Sequence, residues 1–255
     1  LYAIFGRNRF KGYVSLRNLK DESIQHVIDS CQIKAVENKL VCEELTASEI
    51  ALTRLVNLPM TRFNKSCLLI DGEETFRSIF EAIEYAKEYI LVQFYIIKDD
   101  EIGNKLKTKL IQKARKHVKV YFLYDEIGSY QLPGSYIQEM RNEGIVISAF
   151  HTTKGKANHL QLNFRNHRKI VIIDGKFAYL GGHNVGDEYL SRHPKFGTWR
   201  DTHVKLEGPV VKYVQFCFTQ DWYWATTHIP DLNWDLQKAE NGCEKTLIIA
   251  SGPAD

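Results

Sequence analysis

The chain has 255 residues, 44% of them hydrophobic and 25% charged, and a formal net charge of +3. This is ordinary composition for a globular protein, with enough chain for one large domain or two small ones. A charge so near zero gives no general affinity for polyanions, so no nucleic acid is expected as partner, and any anion preference must come from local clustering.

At the start, Leu1 to Phe5 is apolar and gives way to Gly6-Arg7-Asn8-Arg9-Phe10-Lys11. That pattern reads either as the cytoplasmic end of a transmembrane helix with its flanking positive charges or as an ordinary terminus. No run in the sequence approaches the roughly 20 apolar residues of a complete span, and no signal peptide is visible. Helical patterns follow over residues 23–33 and after Thr46-Ala47-Ser48-Glu49, which has the form of a capping box. Residues 1–64 are therefore expected to be a juxtamembrane and helical lead-in packed on a main domain, with 59–65 as connector.

From Cys67 the pattern alternates. Strands are expected at 67–70, 90–96, 118–124 and 145–150, and helices at 73–87, 103–116 and 135–142. The first helix carries apolar residues at Phe76, Ile79, Phe80 and Ile83, one face of a helix. This rhythm predicts an α/β fold: a mostly parallel or mixed sheet flanked by helices on both faces, occupying residues 65–245. A polar loop over 151–163 leads to strands at 170–173 and 177–180. A second loop covers 186–198, a strand 202–206, and a helix 210–225 that ends in Asp221-Trp222-Tyr223-Trp224. The aromatic end of that helix is expected to anchor the core, with a membrane-interface role as the alternative. Residues 246–250 resemble 67–71, an apolar strand running into a glycine turn, and are expected to open a second repeat over 246–255. Five cysteines, Cys31, Cys42, Cys67, Cys217 and Cys243, are scattered without ligand or disulfide spacing and are expected as free thiols; no metal site is expected.

The chemistry concentrates in Asn166-His167-Arg168-Lys169-Ile170-Val171-Ile172-Ile173-Asp174-Gly175 and the following Gly181-Gly182-His183-Asn184. Side chains two apart on an extended segment project to the same side, so His167 and Lys169 are expected next to each other. An imidazole can act as nucleophile or proton carrier near neutral pH, and the ammonium beside it stabilises a phosphoryl anion. Gly182 allows close approach of backbone to a ligand, and the Asn184 amide can donate to a phosphoryl oxygen. Basic residues also cluster nearby: Lys154, Lys156, His159, Arg165, His167, Arg168 and Lys169.

The spacing of His167, Lys169 and Asp174, with Gly181, Gly182 and Asn184 trailing, resembles the HxKxxxxD signature and GG-x-N tail of the phospholipase D superfamily. Within it, residues 5–8, Tyr124-Asp-Glu-Ile-Gly-Ser129, 162–167, 186–189 and 195–203 resemble the N-terminal half of the bacterial cardiolipin synthases. The resemblance implies phosphatidyl transfer between two phosphatidylglycerol molecules, giving cardiolipin and glycerol through a phosphohistidine, with no metal or other cofactor. His167 would be the nucleophile, Lys169 and Asn184 would bind non-bridging oxygens, and Asp174 would fix the local turn. Asp201 is the candidate that orients the imidazole, with a salt bridge to Arg200 as its alternative role. The family carries a membrane anchor and two such motifs, so the second catalytic histidine is expected from a C-terminal half or a second copy of this chain. The expected location is the cell membrane, catalytic domain on the cytoplasmic side, with membrane phospholipid as partner. A hydrolase, a nuclease and a catalytically incomplete lipid-binding half are the alternatives. The 186–198 loop and Trp222 to Trp224 are expected near a lipid acceptor.

Overall fold

A hairpin that reverses the chain at Asp174-Gly175 decides the topology, because it makes the motif strand antiparallel to its successor. The computed structural model describes residues 22–150 and 166–250. Its helices are α1 (Glu22–Glu37), α2 (Ala47–Val56), α3 (Asp71–Tyr85), α4 (Glu101–Ala114), α5 (Gly134–Asn142) and α6 (Val210–Thr226). Its strands are β1 (Thr61–Ile70), β2 (Tyr89–Phe94), β3 (Lys119–Asp125), β4 (Val146–Phe150), β5 (Ile170–Ile173), β6 (Phe177–Gly181), β7 (Thr202–Glu207) and β8 (Glu244–Thr246), with a short 3-10 turn at Asp187–Leu190. They form one sheet in the order β4-β3-β2-β5-β6-β7-β1-β8.

The sheet is mixed. Only β2–β3 and β3–β4 are parallel, each joined by a helical crossover of the length such a connection needs. Asp174 and Gly175 both take left-handed backbone, φ 52° and 60°, and turn β5 back into β6. The other pairings, β2–β5, β6–β7, β1–β7 and β1–β8, are antiparallel.

Both faces are covered. The stripe Phe76, Ile79, Phe80 and Ile83 of α3, together with α4 and α5, packs on one face over Ile90, Val92 and Phe94. On the opposite face α6 packs Val211, Val214, Phe218 and Trp222 against Leu91, Ile170 and Ile172. Every residue of β2 is buried, which is why that strand reads as an apolar run, interrupted by Gln93, and not as an alternation. Trp222 and Trp224 are 2% and 4% exposed. They are core anchors beneath the sheet, and the expectation that they border a lipid acceptor is corrected accordingly.

The edges differ from the sequence reading in two places. β1 starts at Thr61 and absorbs most of the expected connector, because its pairing with β8 is irregular between Thr61 and Asn64 and Phe63 has φ 63°, which breaks the alternation that would have announced a strand. The expected strand at 246–250 shares only Thr246 with β8, and Leu247 and Ile248 pack on the core instead. The expected division at 245–246 therefore falls inside β8.

The helix α1 sits against α6 through Ile28 and Cys31, and Leu58, just past α2, joins them in meeting Tyr213 and Phe216. Thr46 and Glu49 form the anticipated capping box at the start of α2. All five cysteines are free. Among the described residues no helix is long and apolar enough to cross a membrane. Readings that fall on residues 1–21, 151–165 and 251–255, including the basic residues Lys154 to Arg165, lie outside the described residues.

Candidate active site

The motif segment enters β5 already extended, and two buried carboxylates hold it from behind. Asp125, at the end of β3, accepts the backbone N–H of Asn166 at 2.9 Å on one oxygen and those of Ile127 and Gly128 at 3.0 and 2.8 Å on the other. Asp221, on α6, accepts from the side-chain amides of Asn166 and Gln93, both at 2.7 Å, and from Arg168 Nη1 at 2.6 Å. The Arg168 backbone N–H closes the loop on Asn166 Oδ1 at 3.0 Å. Asn166 and Arg168 thus turn inward, and Arg168 is committed to a buried partner instead of adding to a solvated basic surface.

The alternate residues turn outward. His167 is exposed and stacks on Tyr95, ring centroids 4.0 Å apart with 16° between planes. Lys169 Nζ donates to the His167 carbonyl at 2.7 Å and lies 5.5 Å from the centroid of the same tyrosine ring. The pair expected to share a side does so at Tyr95, although β5 itself begins only at Ile170. Burial pulls the Lys169 pKa below its ordinary value, and the charge of Asp201 opposes that shift. Burial likewise raises the Asp125 carboxyl, against the pull of its backbone hydrogen bonds and of His167. Asp125 is therefore a carboxylate that the exposed imidazole interacts with electrostatically.

Gly182 and Asn184 flank this point. A side chain at Gly182 would collide with the Asp201 carboxylate as it stands and would force it to move. Asn184 is buried; its Oδ1 accepts the Ile96 N–H at 3.0 Å, and Nδ2 donates to the Tyr189 hydroxyl at 3.2 Å. An amide nitrogen carries two N–H donors, and that bond uses one. Asp201 accepts the Thr202 N–H at 2.7 Å, and no hydrogen bond joins it to His167 among the described residues. Nor does it pair with Arg200 through its side chain, since Arg200 turns to Asp71 at 3.5 Å.

Asp174 lies at the other end of β5, four strand residues beyond Lys169. Its carboxylate accepts the backbone N–H groups of Lys87, Glu88 and Tyr89 at 2.9, 2.8 and 3.0 Å. It ties the start of β2 to the end of β5 and fixes the hairpin, at the end of β5 away from Lys169.

Beside Gly181 the sequence reading missed a buried pair, His183 and His203, with Nδ1 atoms 3.1 Å apart and exposures of 0% and 2%. Burial, then His183, pushes His203 down to about 3, and burial lowers His183 also. The facing charges divide: Asp201 and Asp71 favour protonation, Arg200 and Lys169 oppose it. Burial favours the neutral form of both imidazoles, and at 0% and 2% exposure neither ring faces solvent. His203 takes up its proton near pH 6.5 when unfolded and near 3 when folded, so stability falls as pH drops through that window. In His203→Gln the slope of unfolding free energy against pH between 4 and 6 should shrink by up to about 1.4 kcal/mol per pH unit. Urea midpoints across that range measure it, and an unchanged slope would show that the pair is not neutral.

Residues 79–222 match the family model described as cardiolipin synthase, phospholipase D-like domain. The chain belongs to this family. The matched stretch holds Tyr95, Asp125, His167, Lys169, Asp174, Gly182, Asn184, Asp201 and Asp221, so the whole arrangement described above lies inside the phospholipase D-like domain. Two relatives named Cardiolipin synthase A are 44% and 45% identical over the full chain, from Pseudomonas syringae pv. syringae and Pseudomonas entomophila; in both cases the chain covers 53% of the relative. It spans about half the length of the curated relatives it matches. Among solved structures, NucT from Helicobacter pylori is similar in fold, with a TM-score of 0.50 and 17% identity over 64% of this chain and 98% of that one.

Proposed function

We propose that this phospholipase D-like domain supplies the nucleophile half of a cardiolipin synthase acting on phosphatidylglycerol at the cytoplasmic face of the cell membrane. The observation that carries the reading is the outward pair: His167 exposed on a segment anchored by Asp125 and Asp221, with the Lys169 ammonium beside it. In the first step an imidazole nitrogen of His167 bonds to phosphorus and the bond to the glycerol oxygen breaks. That oxygen takes a proton from a second histidine, and glycerol leaves. In the second step the same second histidine takes the proton from a hydroxyl of another phosphatidylglycerol, whose oxygen bonds to phosphorus as the His167 bond breaks. Lys169 and the remaining Asn184 N–H stabilise the non-bridging oxygens where charge builds up. The Asp201 charge favours the Lys169 ammonium against the effect of burial, and Asp201 is the carboxylate assigned to orient the imidazole.

The second histidine comes from a C-terminal half carrying another motif or from a second copy of the chain across a two-fold axis. Size-resolved assay of the 255-residue chain should find the monomer inactive, and full turnover in a monomeric fraction would refute the two-histidine requirement. With labelled phosphatidylglycerol in bilayers as sole lipid, the complete protein is expected to release cardiolipin and glycerol, with phosphatidic acid minor. Water and alcohol compete for the same phosphohistidine, and the outcome depends on which one is held in line. Mostly phosphatidic acid would make the protein a phospholipase, and cleavage of DNA under those conditions would make it a nuclease.

A further inference from the structure

A cavity of about 320 Å³ opens beside the site, lined by Ile96, Tyr130, Tyr189, Phe196 and Trp199. It joins the site by two routes. Ile96 donates its N–H to Asn184, and Tyr189 receives the Asn184 amide, so two residues of the cavity wall hold from behind the group placed to meet a phosphoryl oxygen. Gly128, also on the wall, lies against the Tyr95 ring on which His167 stacks; a side chain there would run into that ring.

The charged side chains of the lining and several of its polar groups already have protein partners. Lys98 and Glu188 form an ion pair with each other, Ser129 donates to the Tyr95 carbonyl and accepts from Ile97, and Gln131 donates to the Tyr130 hydroxyl. What the cavity offers a ligand is aromatic and aliphatic surface. Its rim is aromatic and solvent-facing, with Tyr130 76% and Phe196 49% exposed. Such side chains suit a boundary that is apolar on one side and wet on the other.

We propose that this cavity is the subsite for the ester-linked start of an acyl chain of the phosphatidyl group whose phosphate sits at Lys169 and Asn184. The proposal rests on the phosphatidyl-transfer reading and adds the place that distinguishes a diacyl phosphodiester from its deacylated backbone. The volume is at the small end for ligand sites, enough for the beginning of a chain whose remainder stays in the bilayer, with Tyr130 and Phe196 at the interface.

Equilibrium binding to the full chain tests this without needing turnover. The probes are dihexanoyl-phosphatidylglycerol below its micellar concentration and deacylated glycerophosphoglycerol, with affinities measured by calorimetry. The wild-type chain should prefer the dihexanoyl lipid by at least about tenfold, as expected for burying several methylenes. Tyr130→Ala/Phe196→Ala should remove most of that preference and leave the deacylated diester unaffected. Gln131→Trp, which fills the cavity from an exposed position, should do the same. Lys169→Ala should weaken both ligands alike.

If the wild type binds both diesters and the cavity variants leave their ratio unchanged, the subsite is overturned and the phosphatidyl reading survives. If it binds neither diester, both fall. If the variants alter only self-association, the surface is a protein interface and the subsite is refuted.

Discussion

His167→Ala, made in the complete protein, is expected to lower phosphatidyl transfer by more than about 10⁴-fold, because the covalent step has no substitute nucleophile. The fold should survive, since His167 is exposed and its described ring contact is the stack on Tyr95. Losing that contact should move the thermal midpoint by no more than about 3 °C. Circular dichroism melts and a radiolabelled lipid assay on the same preparation check both halves of the expectation. Activity within about tenfold of the wild type would remove His167 from the reaction. Collapse of the fold would show that the segment is structural first.

The contrast between what His167 needs locally and what it needs at a distance explains how far the sequence could be read. The β-branched run 170–173, the Asp-Gly turn and the alternation of His167 with Lys169 are local, and local pattern carries them. The same holds for the α3 stripe and the Thr46 capping box. Asp125 and Asp221 reach the motif across separations of 41 and 53 residues, and no periodicity records such a contact. A signal for Asp125 did exist, since it sits in the Tyr124 to Ser129 stretch that carries the family resemblance, but without a role attached. Tyr95 is hidden for another reason: it directly follows β2, a strand buried on both faces, and reads as one more apolar position. Asp174 shows the converse case. A spacing ties it to His167 in sequence, yet a four-residue strand carries it to the opposite end of β5, where its work is done on the backbone of β2.

Asp221→Ala should be the most damaging substitution for stability. Asp221 is fully buried and gathers donors from Gln93, Asn166 and Arg168, so its loss strips at least these partners at once and takes from Arg168 a carboxylate it is paired with. Removing one side of a buried ion pair costs about 3–5 kcal/mol, which for a chain of this size is a fall in melting temperature of roughly 10 °C. Asp221→Asn keeps one acceptor oxygen and should cost less than Asp221→Ala. The damage should also reach the chemistry. Arg168 lies between His167 and Lys169, and displacing the segment by about 1 Å is enough to cost on the order of 10²-fold in rate even in the molecules that stay folded. A double-mutant cycle of Asp221→Asn with Arg168→Gln, followed by urea titration and transfer assays at a temperature where every variant is folded, separates the two effects. A coupling energy near zero would mean that the Asp221–Arg168 contact holds neither the fold nor the motif. A large coupling in stability, with transfer unaffected in the folded fraction, would leave Asp221 a core residue with no part in positioning His167.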